Sequence, residues 1–435
     1  GQNPGQEVVN DVVLEGGQIA TAEFNALVKQ LVDYRGAQYR VPAKPALALG
    51  QRSVNPVKDF SIPGAARSVP RIRQTSFLDL GARLIVNQPT GMSCLHAADN
   101  TVVWENKDDG RGISVEFGYA GKPARIGTDL FSAAFSKQRL IWRRVQADTG
   151  ETVWEVPVDG YPLADPIAAG NSIFVLKVIP QQTTFGQVVF EQINSTNGSV
   201  SNSIALMTVQ RKPELFQSAR SVLAQDRIIF VLDSTIYSVN LEGELMWAQM
   251  LSQVPKLADQ HLYDRINATQ PLVSGDRIIV HAAGSPDVVC LDRKTGGTVW
   301  RFQQPDVQEL IGIWEDRVII SCRNGVQAIS IQFGTPLWFQ PGSPRPSAVR
   351  IMDRHILICN LDKKPTTRVV PLSNQRSLLW VQPQTGKVVQ EAELLGNEST
   401  LFDIELIFPF GNKLYGVSNI STGSHSLKLI EVVLP

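Results

Sequence analysis

The sequence predicts an all-β fold of repeated four-stranded antiparallel units, and three observations support this. A glycine precedes a tryptophan by four residues at several places in the 435-residue chain. Short apolar segments separated by turn residues surround each of these places. The unit recurs about every 48 residues, since the turn positions from 100 to 386 span 286 residues over six intervals. Such a period is typical of repeat architectures. We therefore expect an eight-bladed β-propeller, with seven blades as the alternative.

The clearest repeat, Asp287–Arg301, shows how residues fix the spacing. Val288–Leu291 is an apolar strand, a turn from Asp292 to Gly296 follows, and Thr298–Trp300 begins another strand. Asp can accept amide protons within the turn, and Gly can adopt a positive φ. Counting from this repeat, we expect the turn residues at Asn100, Gly150, Gly198, Gly243, Gly296, Gly334 and Gly386.

The strands of each unit are named A to D in chain order. Strand D carries the tryptophan, whose burial would remove ~150–250 Å² from water. Two copies have lost it and carry Asn202 and Gln390 instead. Strand B is expected at Arg83–Asn87, Arg139–Arg143, Ser172–Val178, Arg227–Leu232, Arg277–Ala282, Arg317–Cys322, His355–Cys359 and Lys413–Val417.

A basic residue recurs where the A–B turn meets strand B. In a closed ring these residues would circle one end of the fold. Two interpretations stay open: arginines solvated beside their turns, or a ring that binds anions or acidic partners. The members of this candidate basic ring are Arg83, Arg139, Arg227, Arg277, Arg317, Arg354 and Lys413.

The eighth unit is incomplete in the sequence. It has strands A to C at Glu405–Phe410, Lys413–Val417 and Leu427–Val433, but no strand D. We expect an N-terminal strand to close the ring and remove the exposed edges. Glu7–Leu14 is preferred for its β-branched residues, and Ser68–Arg73 is the alternative.

The chain divides into an extension and a repeat domain. Residues 1–76 are expected to hold the closing strand, an amphipathic helix over residues 22–34 and a linker rich in Pro and Gly. Residues 77–435 are expected to form the propeller. Any signal peptide or anchor is expected to lie outside this chain, which begins with Gly1.

The longer insertions predict a binding face. Asn106–Pro123 and Leu251–Gln270 fall in D–A connections, whereas Ile179–Gly186 and Leu361–Arg376 fall in B–C connections. In a four-stranded meander both connection types lie at one end of the blade. Because function tends to reside on elaborated loops, we expect protein partners to bind at this D–A/B–C end.

Composition and motifs argue against several classes of function. Lys+Arg and Asp+Glu are both 41, so the balanced charge predicts no nucleic-acid partner. No apolar run reaches the ~18 residues of a transmembrane segment. The five histidines and four cysteines show no metal-binding spacing. We therefore expect no metal, no cofactor and no catalytic residue. The cysteines are expected to be small buried hydrophobes, and one disulfide is the alternative.

Three stretches resemble the repeat of pyrroloquinoline-quinone (PQQ)-type propellers. They are Ala147–Trp154, Leu291–Trp300 and Gln382–Lys387, which contain a Thr-Gly turn and, in the first two, a tryptophan. The resemblance covers residues 77–435. It implies that blades dock on one another through Trp104, Trp154, Trp247, Trp300 and Trp338.

The resemblance also implies a class of function. The sequence resembles the non-catalytic branch of the family, which includes the lipoprotein scaffold of the outer-membrane β-barrel assembly machine. The adjacent cysteine pair and the calcium-ligand motif of the dehydrogenase branch are missing from this sequence. We expect a monomeric protein-interaction scaffold in the bacterial cell envelope or extracytoplasmic space. The alternatives are a degenerate PQQ-dependent dehydrogenase and a propeller that binds a carbohydrate or small ligand.

Overall fold

The chain divides into two compact units, Gly1–Pro42 and Ala43–Pro435, and all the residues described below belong to the second. The computed structural model describes residues 56–61, 76–88, 91–96, 99, 101–107, 121–136, 139–181, 185–210, 219–232, 234–251, 269–282, 285, 287–304, 307–342, 344–352, 354–362, 375–394, 404–410, 413–419 and 427–432. The predicted helix over residues 22–34 and the turn residue Asn100 lie outside them.

The described residues form eight antiparallel β-sheets, numbered here in chain order. Sheet 1 consists of β2 (Ser76–Asp79), β3 (Arg83–Gln88), β4 (Gly91–His96) and β5 (Val102–Lys107). Sheet 2 consists of β6 (Ala124–Ile126), β7 (Asp129–Ser136), β8 (Arg139–Gln146) and β9 (Thr152–Pro157). Sheet 3 consists of β10 (Tyr161–Pro162), β11 (Ile167–Ala169), β12 (Ser172–Pro180), β13 (Phe185–Asn194) and β14 (Val200–Gln210). Sheet 4 consists of β15 (Ala219–Ala224), β16 (Arg227–Leu232), β17 (Thr235–Asn240) and β18 (Leu245–Met250).

The second half of the chain repeats the pattern. Sheet 5 consists of β19 (Leu272–Ser274), β20 (Arg277–His281), β21 (Asp287–Asp292) and β22 (Thr298–Gln303). Sheet 6 consists of β23 (Val307–Trp314), β24 (Arg317–Cys322), β25 (Gly325–Ser330) and β26 (Pro336–Pro341). Sheet 7 consists of β27 (Pro344–Ile351), β28 (Ile356–Asp362), β29 (Gln375–Val381) and β30 (Val388–Leu394). Sheet 8 consists of β31 (Ile404–Phe410), β32 (Lys413–Asn419), β33 (Leu427–Val432) and the N-terminal strand β1 (Pro56–Ser61). Sheet 3 has five strands and the others have four, as in a β-propeller.

The apolar core lies between successive sheets. One cluster combines Ile229 and Val231 of sheet 4 with Ile278, Val280 and Val289 of sheet 5, and all five are at most 1% exposed. The middle strands B and C supply most of this surface, since both of their faces are covered. For example, all six residues of β16 are buried.

An N-terminal strand completes sheet 8, and neither predicted candidate occupies that place. β1 (Pro56–Ser61) pairs antiparallel with β33, with Phe60 opposite Leu429. Glu7–Leu14 and Ser68–Arg73 lie outside the described residues. The preference for β-branched content was misleading here, because an edge strand that pairs on one side tolerates Pro56 and the charged Asp59.

The predicted strand B of the second unit was wrong. Strand B of sheet 2 is β7 (Asp129–Ser136), after a tight turn at Gly127, whose φ is +59°. The predicted segment, Arg139–Arg143, lies in strand C, β8. Both segments are apolar and of similar length, so the leading arginine of β8 favoured the wrong one. Arg139 therefore lies at the opposite end from the A–B turns.

The insertion predicted at Ile179–Gly186 is mostly an extended hairpin. Ile179 pairs with Gln187 and Pro180 with Gly186, so β12 and β13 continue into it. Every connection longer than six residues between consecutive described strands is nevertheless a D–A or B–C connection. These are residues 62–75, 108–123, 211–218, 251–271, 363–374, 395–403 and 420–426.

Candidate functional site

Each repeat tryptophan contacts the C–D turn of the following sheet. Its indole N–H donates to a backbone carbonyl three residues before the turn glycine. The bonds run from Trp104 to Ala147 (2.9 Å), Trp154 to Ser195 (3.0 Å), Trp247 to Arg293 (3.0 Å), Trp300 to Ile331 (2.8 Å) and Trp338 to Pro383 (2.7 Å). We call each of these contacts a joint.

The turn glycines are needed at the joints for two physical reasons. Their φ angles lie between +69° and +87°, a region that only glycine adopts without strain. The indole also lies directly on the glycine: a Cβ on Gly334 would be 2.5 Å from Cδ2 of Trp300. The same close approach joins Trp104 to Gly150, Trp154 to Gly198, Trp247 to Gly296 and Trp338 to Gly386.

The joint between sheets 3 and 4 uses amide side chains instead of a tryptophan. Asn202 Nδ2 donates to the carbonyls of Glu242 and Gly243, at 3.2 and 3.3 Å. Gln192 Nε2, from the neighbouring strand, reaches Leu241 O at 3.3 Å. These two amides bond to the same type of turn that the indoles bond elsewhere, so the lost tryptophan is partly replaced.

Three members of the candidate basic ring also reach the next sheet. Arg83 Nη1 donates to Asp148 O at 2.8 Å, and Arg277 Nη1 donates to Gln332 O at 3.1 Å. Arg227, 7% exposed, donates to Arg293 O at 2.9 Å. These guanidinium groups are therefore neither freely solvated nor fully available to an anion.

The structure shows no bond from the other ring members to the next sheet among the described residues. Arg317 pairs with Asp316 and Glu315 of its own A–B turn and stacks over Trp314, 5.6 Å from the ring centroid. Arg354 and Arg139 are exposed, Arg139 at the opposite end, and the side chain of Lys413 lies outside the described part. The structure thus places six of the seven residues but does not assemble them into one continuous ring.

An ionic network reinforces the joint between sheets 4 and 5. Arg293, 5% exposed, bridges Asp226 of one A–B turn and Asp276 of the next. Hydrogen bonds from Arg227 are the main reason that the pKa of Asp226 is held well below its usual range. Sequence reasoning missed Arg293, because nothing in its turn distinguishes it from a solvated residue.

We expect Arg277→Ala to destabilise the protein by about 1–2 kcal/mol, because a charged donor to the next sheet is lost. Arg139→Ala, at an exposed site of the same residue type, should change stability by less than about 0.5 kcal/mol. Urea unfolding of both variants measures this difference. Equal effects would show that Arg277 does not stabilise the joint.

Two buried polar groups lie toward the D–A/B–C end. Lys177 Nζ is 2.7 Å from Glu191 Oε1 and also pairs with Asp159, which lies in the D–A connection between sheets 2 and 3. The side chains of Lys177 and Glu191 are only 3% and 8% exposed. His281 ends strand B of sheet 5, and its Nε2 lies 3.0 Å from Ser285 O. No pattern in the sequence indicates that these residues are buried.

The stability of the protein is expected to depend on the protonation of His281. Burial lowers its pKa to about 4 from an unfolded value of 6.5. A depressed histidine pKa means that the folded state holds the neutral ring. This contribution to the free energy of unfolding is fully present above pH ~6.5 and is lost as pH falls towards 4, by up to about 3 kcal/mol.

His281→Val should remove this part of the pH dependence, whereas His96→Gln, at an exposed histidine, should keep it. Urea midpoints from pH 7 to 4 would reveal it, and identical slopes in wild type and His281→Val would contradict it.

The remaining chemistry of the described residues is sparse. All four cysteines are buried and none forms a disulfide. Burial raises the pKa of Cys94 and of Cys290 to about 11, which disfavours the reactive thiolate. No group of three or more His, Cys, Asp or Glu in this part of the chain could hold a metal ion. Nor does any described helix have the length and apolar character to cross a membrane.

Comparison with solved structures finds the same fold. The crystal structure of BamB from Moraxella catarrhalis matches with a TM-score of 0.57 at 14% identity, over 87% of this chain and 100% of that one. The computationally designed Ika8 protein matches with a TM-score of 0.54 at 11% identity, over 88% and 100%. At such identities the likeness concerns the fold alone. No curated protein matches the chain by sequence.

A family model supplies the stronger evidence. The model described as outer membrane protein assembly factor BamB matches residues 93–270 and 232–406, which together exceed half of the chain. These matches include the five tryptophans of the joints and the turn glycines from Gly150 to Gly386. The chain therefore belongs to the BamB-like PQQ_2 family of β-propeller proteins.

Proposed function

We propose that this protein is a non-catalytic scaffold that binds other proteins in the bacterial envelope or extracytoplasmic space. The observation that carries the proposal is the match to a family described as an outer membrane protein assembly factor. The proposed task is to hold other proteins, and a set of sheets joined through buried indole contacts suits that task.

We further propose that the eight sheets are eight blades of one closed propeller. Seven sheets follow one another in chain order, and the eighth combines the last three strands with β1. Closure by a strand from the other end of the chain leaves no sheet incomplete, which supports a ring that resists opening.

The partner is proposed to bind at the D–A/B–C end. The A–B turns and C–D turns of the described sheets have at most six residues, whereas the connections at the other end reach 21 residues in the segment 251–271. Loops can vary without disturbing the joints, which lie at the C–D turns. The scaffold and the binding face are therefore separated within each blade.

The test is affinity capture from the envelope fraction of the native organism. Three baits are compared. The first is the full chain, and the second, the loop variant, has residues 252–268 replaced by a short Gly-Ser linker. The third is a control with Lys294→Glu and Phe333→Ser, at the end of the sheets that carries the short A–B and C–D turns. Both control positions are exposed. We expect the control to retain the captured partner and the loop variant to lose it.

Two results would contradict the proposal. Equal capture by the loop variant would move the binding site away from this end. Loss of capture in the tight-turn control alone would place it at the opposite end. Equal melting temperatures of the three proteins would show that the folds are comparable.

A further inference from the structure

The outer strand of sheet 3 differs from the other outer strands in length. β14 has 11 residues, whereas β5, β9, β18, β22 and β26 have six and β30 has seven. Its partner β13 has 10 residues, so the two strands form an extended ladder. The extension lies partly in the hairpin predicted as an insertion.

The composition of β14 is also unusual for a sheet edge. Natural edge strands commonly carry charged residues or proline, which discourage the addition of another strand. Each of β5, β9, β22, β26 and β30 contains at least one charged residue or proline. β14, with the sequence VSNSIALMTVQ, contains none. β18 of the next sheet, LMWAQM, contains none either.

The outer backbone edge of β14 has no strand partner within the described part of the chain. No described strand pairs with that edge, and no described residue outside β13 bonds to the backbone of Ile204–Gln210. The amide of Ser203 is already bonded to Asn202 Oδ1 at 2.8 Å. The open stretch therefore runs for seven residues, from Ile204 to Gln210.

The strand is held firmly while its edge is open. Ile204, Leu206 and Val209 pack against the buried core shared by sheets 3 and 4. Ala205 and Thr208, which alternate with them, are exposed and small enough to let another backbone approach. A fixed row of amide and carbonyl groups is complementary to an extended chain, which is the chemistry of strand addition.

The adjoining outer strand supplies exposed apolar side chains. In β18, Leu245, Met246 and Met250 are 47%, 48% and 72% exposed. Asn202, near the start of β14, bonds to Gly243, two residues before Leu245, so the beginnings of the two strands lie close together. Methionine side chains adapt to partners of varied shape.

We propose that the outer edge of β14 binds an extended, uncharged segment of a protein partner by antiparallel or parallel strand addition. The segment gains hydrogen bonds from Ile204–Gln210, and its apolar side chains contact Leu245 and Met246. This deepens the proposed function, because it names the class of partner that the scaffold takes. The edge runs along the side of sheet 3 and reaches the D–A/B–C end at Gln210.

The test uses a fluorescent nine-residue peptide of alternating Thr and Val, capped at both ends. A second peptide carries an N-methyl group on every residue, which removes the amide donors of both edges. Binding is measured by fluorescence anisotropy with the full chain. The variant Ala205→Lys/Thr208→Lys adds charges to the edge, and the control Val153→Lys/Val299→Lys adds them to exposed positions of two other outer strands.

We expect the edge variant to bind the peptide at least about ten-fold more weakly than wild type, and the control to differ by less than about two-fold. The N-methylated peptide should not bind. Failure of the unmodified peptide to bind, or equal binding by the edge variant at an unchanged melting temperature, would overturn the inference. A wild-type dimer that the edge variant converts to monomer would overturn it too, because a second copy would then cover the edge.

The loop variant lacking residues 252–268 separates this inference from the proposed function. Peptide binding that survives in the loop variant, together with lost capture, supports both proposals. Partner capture by wild type without any peptide binding leaves the scaffold function standing and rejects the role of β14.

Discussion

Trp300→Ala is expected to destabilise the protein by about 3–5 kcal/mol, the usual range for removing a buried tryptophan. Trp300 is 8% exposed, packs in the core cluster shared by sheets 5 and 6, and donates to Ile331 O at 2.8 Å. The substitution removes the apolar contact and the indole donor together. Chemical denaturation followed by tryptophan fluorescence and circular dichroism measures the loss.

Trp300→Phe is the matched control for the apolar part of the contact. It keeps an aromatic ring and removes the indole N–H, so we expect a smaller loss of about 1–2 kcal/mol. Arg277 also approaches Ile331 O, at 3.4 Å, and limits the effect of the missing donor. A loss below about 1 kcal/mol for Trp300→Ala would show that the joint does not hold sheets 5 and 6 together.

Gly334→Ala is expected to cost about 3 kcal/mol. The new Cβ would lie 2.5–2.9 Å from three ring atoms of Trp300, and the residue has a φ of +69°. Left-handed backbone strain contributes roughly 1 kcal/mol of this, and the clash contributes the rest. Urea unfolding measures the loss of stability.

Gly275→Ala isolates the backbone strain. Gly275 has a φ of +55° in an A–B turn, and a Cβ there would meet no atom within 4 Å. We therefore expect a loss of about 1 kcal/mol from strain alone. Equal losses for the two glycines would mean that close packing of the indole contributes nothing.

Local turn chemistry made much of the fold predictable. Asp292 accepts the amides of Lys294 and Thr295, at 3.0 and 2.8 Å, as its place in the repeat predicted. The positive φ of Gly296, +74°, follows from the same turn. Since each such turn sets the start of the next strand, counting along the chain located most strands.

Contacts between sheets were less accessible to sequence reasoning. The carbonyls of Ala147 and Ile331 that accept the indole protons carry no side-chain signal at all. The contacts of the arginines at the A–B turns could not be predicted, because the carbonyls that they bond lie 54–66 residues further along the chain, as from Arg277 to Ile331. Only the assembled sheets bring these groups together.

The closing strand could not be chosen from local preference either. β1 contains proline, lysine and aspartate, which strands generally disfavour. It is in place because the free edge of β33 offers backbone partners, and pairing there joins segments from opposite ends of the chain. The wrong assignment of Arg139 to strand B has a similar origin. Two neighbouring apolar segments, now β7 and β8, both fit the pattern of strand B in the sequence.

A double-mutant cycle on Trp300 and Gly334 tests most directly whether the repeat tryptophan joins one sheet to the next. If the indole lies on the glycine, Gly334→Ala should cost only about 1 kcal/mol once Trp300 is alanine. The coupling energy would then be about 2 kcal/mol, within the range of residues in contact. Additive losses, with a coupling below about 0.5 kcal/mol, would contradict the account.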